Sequence, residues 1–358
     1  MIPLVDLKAQ YLTIETEINN AISETLSNAQ FVAGNSVTEF EIEFAKYSSA
    51  KYGIGVASGT AALNLILRAC DIGPGDEVIT TPFTFFATAS VIIMTGAKPV
   101  FVDVEEDGFC LNPNQVESAI TEKTKAIQPV HLYGELADMP SLVEISKKNN
   151  LVLIEDSAQA HSADSWNGKA GSFGNAGWFS FYPTKNMTTS EGGIITTNSE
   201  EFSSHCKVLR AHGMTAQYQH SEFGYNYRMT DISAAIGRVQ LTKLDKFNSR
   251  RREIANKYNE SFSKYVKVPE NRRGHVFHQY TILCNQRDEL KEHLSQKGVG
   301  SGIYYPTLLY NYAPMSEFEA DCPNAKRLTE LSLSLPVHPG LSDSDVSKVI
   351  DSVISFFE

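Results

Sequence analysis

The chain is poor in cysteine, in clustered positive charge and in long apolar runs, and each shortage excludes something. Its 358 residues hold five cysteines, Cys70, Cys110, Cys206, Cys284 and Cys322. They lie far apart, are odd in number and include no Cys-x-x-Cys pair, so neither a disulfide framework nor a thiolate metal site is expected. No metal is expected at all. The net charge is −11, with no basic tail and no dense Lys/Arg run. Phosphate-backbone binding needs clustered positive charge, so nucleic acid is not expected as a partner. No apolar run approaches the ~20 residues of a membrane span. The opening Met1-Ile2-Pro3-Leu4-Val5-Asp6 has no charged-then-apolar leader. These features predict a soluble cytoplasmic protein with no membrane partner.

What the chain does have is a concentrated stretch from Leu151 to Asn198. The apolar run Leu151–Ile154 reads as a buried strand. Glu155-Asp156-Ser157-Ala158-Gln159-Ala160-His161 follows, so Asp156 lies at the carboxyl end of that strand, where open α/β sheets bind ligands. Phe179-Ser180-Phe181-Tyr182-Pro183-Thr184-Lys185-Asn186 then carries Lys185 on a Pro-containing turn, and Glu191-Gly192-Gly193 closes the stretch. A lysine amine condenses with a carbonyl, and pyridoxal phosphate (PLP) can then serve as an electron sink. The sink works while its ring nitrogen keeps a proton, which a buried carboxylate favours. Asp156 is the candidate for that carboxylate. Taken singly, an Asp and a Lys read more simply as a helix cap and a surface lysine.

Together these segments resemble the DegT/DnrJ/EryC1/StrS family of PLP-dependent nucleotide-sugar aminotransferases, and the resemblance covers nearly the whole chain. It implies an α/β chain with the type I aminotransferase fold: a mostly parallel sheet flanked by helices, with a smaller α+β C-terminal domain. The expected division is a large PLP-binding domain over 1–248 and a small domain over 249–358, with the first dozen residues able to pack on the small one. The resemblance makes Lys185 and Asp156 catalytic. It gives Gln159 to the cofactor's ring oxygen O3′ and Ser180 to its phosphate. It implies a nucleotide-linked keto sugar as substrate, glutamate as amino donor and a homodimer with shared active sites. Family members that carry histidine at the lysine position act as dehydratases, so Lys185 points to transamination. A keto-cyclitol aminotransferase and a non-catalytic PLP-binding sensor are the alternatives.

The rest of the chain supplies further candidates. Ile14, Ile18, Ile22 and Leu26 mark an amphipathic helix, and Phe40 and Phe44 mark another. Ser58-Gly59-Thr60 joins a short apolar strand to an Ala-rich helix. Such a turn offers free N–H groups and a helix dipole to a phosphate, although it is equally an ordinary N-cap. The family pattern gives Gly59 and Thr60 to the cofactor phosphate. Phe83, Phe85 and Phe86 compete to stack on the cofactor ring, and the family pattern points to Phe85. His131 ends a strand and is a weaker candidate. Gly224–Asp231 resembles the family's Asn-Tyr-Arg loop, which implies that Asn226, with Arg228, reaches the neighbouring subunit's cofactor phosphate. Arg228 alternatively pairs with Asp231. Helices are expected over 232–244 and 246–265, strands over 278–283 and 302–306, and Arg250-Arg251-Arg252 is expected to face solvent. Tyr310 stands where the family usually has histidine. Gly171–Gly174 resembles a dinucleotide fingerprint only loosely and is discounted.

Overall fold

In a computed structural model, residues 1–270 and 272–358 are described. The apolar runs become seven strands: β1 Tyr52–Val56, β2 Glu77–Thr80, β3 Lys98–Phe101, β4 Thr124–Ile127, β5 Val152–Asp156, β6 Ala176–Ser180 and β7 Gly193–Thr197. They form one sheet in the order β1-β7-β6-β5-β4-β2-β3. Neighbours from β6 through β3 run parallel, whereas β7 is antiparallel to both β6 and β1. The central strands are buried on both faces, which is why they read as continuous apolar runs rather than alternating ones.

The sheet is sealed by helices whose apolar faces are legible in the sequence. Gly59–Ala69 buries Leu63, Leu65, Ile66 and Leu67 against it. On the other side, Phe40 and Phe44 of the helix Asn35–Tyr47 meet Phe179 and Phe181 edge to face, with centroids 4.9–5.4 Å apart. Such contacts add ~0.5–1.5 kcal/mol each beyond area burial. Met187 and Val276 belong to the same cluster, so it underlies the loop that carries Lys185.

Three expectations are corrected. The two helices over 232–244 and 246–265 are one, Asp231–Phe262, capped by the Thr230 side chain. No Gly or Pro interrupts the junction around Asp245, and Tyr47 donates to the Asp245 carboxylate at 2.5 Å from outside. Residues 302–306 form no strand. Only Gly302 bridges to Ser334, and the partner of Tyr280–Leu283 is instead Ser332–Leu335. Arg251 does not face solvent: it is 4% exposed and donates to the carbonyls of Phe277 and His278.

The C-terminal half of the long helix, through Ile254, Tyr258 and Phe262, packs with Tyr280, Ile282, Leu333, Leu335 and the helix Asp343–Phe357. Ile2 joins this cluster, its N–H donating to Gly298 and its carbonyl accepting from Gly300.

Candidate active site

The site lies on the rim where β1, β5 and β6 end and β7 begins. Asp156 closes β5 and is 3% exposed. Its Oδ2 accepts from Thr88 Oγ1 at 2.9 Å and its Oδ1 from the Ala158 N–H at 3.2 Å. Burial nevertheless outweighs these bonds and pushes its pKa up to about 6. Lys185 follows the turn in which its own N–H donates to Tyr182 O at 2.9 Å. The residue is partly exposed along its length, but its amine is enclosed. Enclosure pulls the amine down to about 8, while the charge of Asp156 pulls it the other way. The acid and the amine are therefore close enough for each to feel the other's charge.

Gly59, Ser180 and Gly193 converge beside them. A Cβ on Gly59 would stand 2.9 Å from Ser180 Cβ. One on Gly193 would stand 2.6 Å from the Ser58 carbonyl carbon and oxygen. Ser58 caps the helix, its Oγ accepting from the Ala61 N–H at 3.1 Å. Its carbonyl accepts from the Ala62 N–H. The N–H groups of Gly59 and Thr60 take no acceptor among the described residues. Two free backbone donors, the hydroxyls of Thr60 and Ser180 and a helix N-terminus make a cradle suited to a phosphate dianion. The donor set and the glycine clearances thus fit PLP, as do the acid and the amine.

The remaining candidates are spread more widely. Gln159 Oε1 accepts from the Tyr133 N–H at 2.8 Å, and its Nε2 donates to Tyr305 Oη at 3.1 Å, leaving one N–H. Phe85 is 59% exposed, with its ring 6.4 Å from that of Tyr305, whereas Phe83 is buried in the core. Asn226 is exposed on a segment that bridges to Ala211. The same segment passes the end of β1, where the Ala57 N–H donates to Tyr227 O. Arg228 makes no ion pair among the described residues. Asp231 instead accepts from the Gly34 N–H at 2.9 Å.

Other residues prove structural. His131 Nε2 donates to Glu155 at 3.1 Å and its Nδ1 accepts from the Ala137 N–H at 3.2 Å. Glu155 also accepts from the N–H groups of Gly171, Phe173 and Gly174, which is what the glycine-rich loop there does. Tyr310 packs on Phe101 within the core. Sequence reasoning gave no role to Thr88 or His161. His161 Nε2 donates to Ser180 O at 2.9 Å, and burial lowers its pKa to about 3, so the ring is neutral. It stands inside the Gln159-Ala160-His161 run, the one signal that could have found it.

The sequence profile of the DegT/DnrJ/EryC1/StrS aminotransferases matches residues 12–354. The chain belongs to this family. It is 42% identical to the pleiotropic regulatory protein of Geobacillus stearothermophilus, over 99% of this chain and 98% of that one. It is 41% identical to a UDP-N-acetyl-3-dehydro-α-D-glucosamine 3-aminotransferase of Acidithiobacillus ferrooxidans, over 97% and 96%. The crystal structure of Streptomyces venezuelae DesV in complex with a ketimine intermediate superposes with a TM-score of 0.97 at 36% identity, covering 100% and 98% of the two chains. NtdA of Bacillus subtilis, with a TM-score of 0.93 at 27% identity over 99% and 84%, was solved with bound pyridoxamine phosphate. PLP is the cofactor of this aminotransferase family. Among the described residues no His, Cys, Asp and Glu cluster could hold a metal, and no helix is long and apolar enough to cross a membrane.

The cradle yields a direct prediction. The atoms that a Gly193→Ala methyl would strike are backbone, 2.6–2.7 Å away, and cannot rotate aside. Opening the cradle by a few tenths of an ångström should weaken PLP binding by about tenfold or more, since the strain of overpacking is ~1–3 kcal/mol. Titration of the apoprotein with PLP, followed by absorbance, measures this. Unchanged affinity in a folded Gly193→Ala chain would contradict it.

Proposed function

We propose that this chain transfers an amino group to the keto carbon of a nucleotide-linked sugar, using glutamate as donor, as a cytoplasmic homodimer. The observation that carries the reading is a cradle of free N–H donors at the rim of the sheet, with buried Asp156 and the enclosed amine of Lys185 near enough to feel each other's charge. When bound, PLP supplies a cationic ring that stabilises negative charge on the carbon bearing the amino group. Lys185, with its depressed pKa, offers a neutral amine to the cofactor's aldehyde and afterwards moves the proton at the reacting carbon. Asp156 keeps a negative charge opposite the ring nitrogen. The N–H groups of Gly59 and Thr60 and the hydroxyl of Ser180 hold the phosphate. The spare N–H of Gln159 would serve O3′, and exposed Phe85 would offer its ring to the cofactor. Asn226, exposed on its own chain, reaches the second copy's phosphate. The unpaired state of all five cysteines agrees with a reducing compartment.

The Acidithiobacillus relative, named for a UDP-linked keto sugar, supports this substrate class. The regulatory name of the Geobacillus relative favours a second reading, a PLP-binding sensor that does not turn over. One experiment separates them. Glutamate added to the holoprotein should bleach its visible band, and a nucleotide-linked 3-keto or 4-keto sugar should then restore it and yield the amino sugar. A band that no amino acid bleaches would sink the aminotransferase reading in favour of the sensor.

A further inference from the structure

The residue after Lys185 enters a buried polar network. Asn186 is fully buried, and its side chain is completely engaged. Its Nδ2 donates to Asn248 Oδ1 at 2.8 Å and to Val276 O at 3.0 Å. Its Oδ1 accepts from His278 Nδ1 at 3.2 Å. Asn248 in turn donates to His161 O at 2.9 Å, and His161 donates to Ser180 O. The network therefore leaves the Lys185 loop, reaches the middle of the helix Asp231–Phe262 and returns to the end of β6. An amide satisfied at every position, as that of Asn186 is, fixes one geometry, because any displacement leaves a polar atom without a partner.

His278 is set within this network by charge as well as by geometry. Burial acts on it most strongly, and Lys185, Arg251 and His161 push in the same direction. The ring is thereby held neutral. Its bond to the Asn186 carbonyl oxygen fixes the proton on Nδ1, which leaves Nε2 as a lone-pair acceptor. Arg251 donates to the carbonyls of Phe277 and His278, so its buried cation braces the backbone that carries the imidazole.

We propose that His278 is a positioning residue: with Asn186 and Asn248 it ties the Lys185 loop to the long helix and fixes the site of the reacting amine. The chemistry on Lys185 demands this, because a backbone loop that drifts by an ångström can lose about a hundredfold in rate. The inference rests on the reading of Lys185 as the amine that captures the cofactor.

Three variants of the full chain test it. His278→Asn retains a donor where Nδ1–H stood, His278→Leu removes it, and Asn248→Ala removes the far end without touching the imidazole. Trace acetic anhydride labelling of Lys185 against pH, read by mass spectrometry on the cofactor-free chain, reports the amine's surroundings. Turnover of the holoenzyme reports its alignment. In His278→Leu and Asn248→Ala the labelling midpoint should rise by about one pH unit or more as the loosened amine gains water. Their kcat should fall about tenfold or more, with KM within about threefold, since alignment and not substrate binding is lost. His278→Asn should keep the parent midpoint and most of kcat. Leu and Asn variants that behave alike, or a Leu variant with parent midpoint and kcat, would overturn the proposal. If His278→Leu does not fold, Asn248→Ala decides by the same two readouts. An active Lys185→Ala chain would instead show that the Lys185 reading has failed, independently of the network.

Discussion

Lys185→Ala should lower kcat/KM by at least ~10⁴-fold, the upper range for one group in general acid–base work, because it also removes the attachment point. Borohydride treatment of the parent holoprotein followed by mass spectrometry should place one cofactor on Lys185, and on no residue of the variant. Retained turnover would refute the assignment. The size of the effect follows from the pocket. An ordinary lysine with a pKa of 10.5 is almost wholly protonated at neutral pH, whereas one at about 8 has a neutral fraction larger by roughly two orders of magnitude. Reaction of the apoprotein with an aldehyde should accordingly speed up as pH rises toward about 8 and level off above it. The sign for stability is the same. The folded amine binds its proton less tightly than the unfolded one, so its contribution improves as pH climbs from about 8 through 10.5.

Asp156→Asn should cost ~10²–10³-fold in kcat, the usual loss when one preorganised electrostatic partner is removed from a buried site. The substitution is nearly isosteric, and its amide oxygen can still accept from Thr88 or from Ala158. PLP affinity should therefore stay within about threefold while turnover collapses, which marks the charge rather than the shape as the active ingredient. An Asn variant with parent turnover would remove Asp156 from the chemistry. Here too the folded pKa is displaced, upward from 3.8 to about 6. The ionised carboxylate is penalised in the fold, so the loss of stability grows as pH rises from 3.8 through about 6. Between about 6 and about 8 both buried groups are charged, and the empty pocket strains the fold most there. A cationic ring beside Asp156 and a covalent bond at Lys185 would relieve both. PLP should thus raise the melting temperature most in that window.

The residues of the candidate site were more legible in the sequence than the scaffolding around them. Asp156, Lys185, Gly59 and Ser180 sit in local patterns, a strand end, a Pro turn and a small-residue helix start, and the fold brings them together as the strand–helix alternation suggests. Thr88 could not be assigned to Asp156, because their meeting depends on the order of β2, β4 and β5 in space rather than on spacing along the chain. Arg251 was misread because charge on a helix predicts solvent only when no neighbouring carbonyls are offered. Here the backbone of Phe277 and His278 offers them. The break expected within the long helix had no Gly or Pro to make it, and the helix runs unbroken through Asp245. Residues Ser332–Leu335 alternate too briefly to announce a strand, although they complete the pair that Tyr280–Leu283 needs.

Gly193 is cross-strand partner to Val56 on one side and to Ser180 on the other. The backward run of β7 thus works as a ruler laid between two forward strands, setting how far the helix start after β1 stands from the hydroxyl that ends β6. A slip of a single residue in either ladder would turn the β7 side chains to the opposite face, and a slip that brings Ile194 into the gap would put a side chain where only a glycine fits. A misregistered sheet could still collapse around its apolar strands, yet it would have nowhere to seat a phosphate. Cofactor retention therefore reports on strand alignment, and a newly made chain that holds PLP has already paired β1, β7 and β6 correctly.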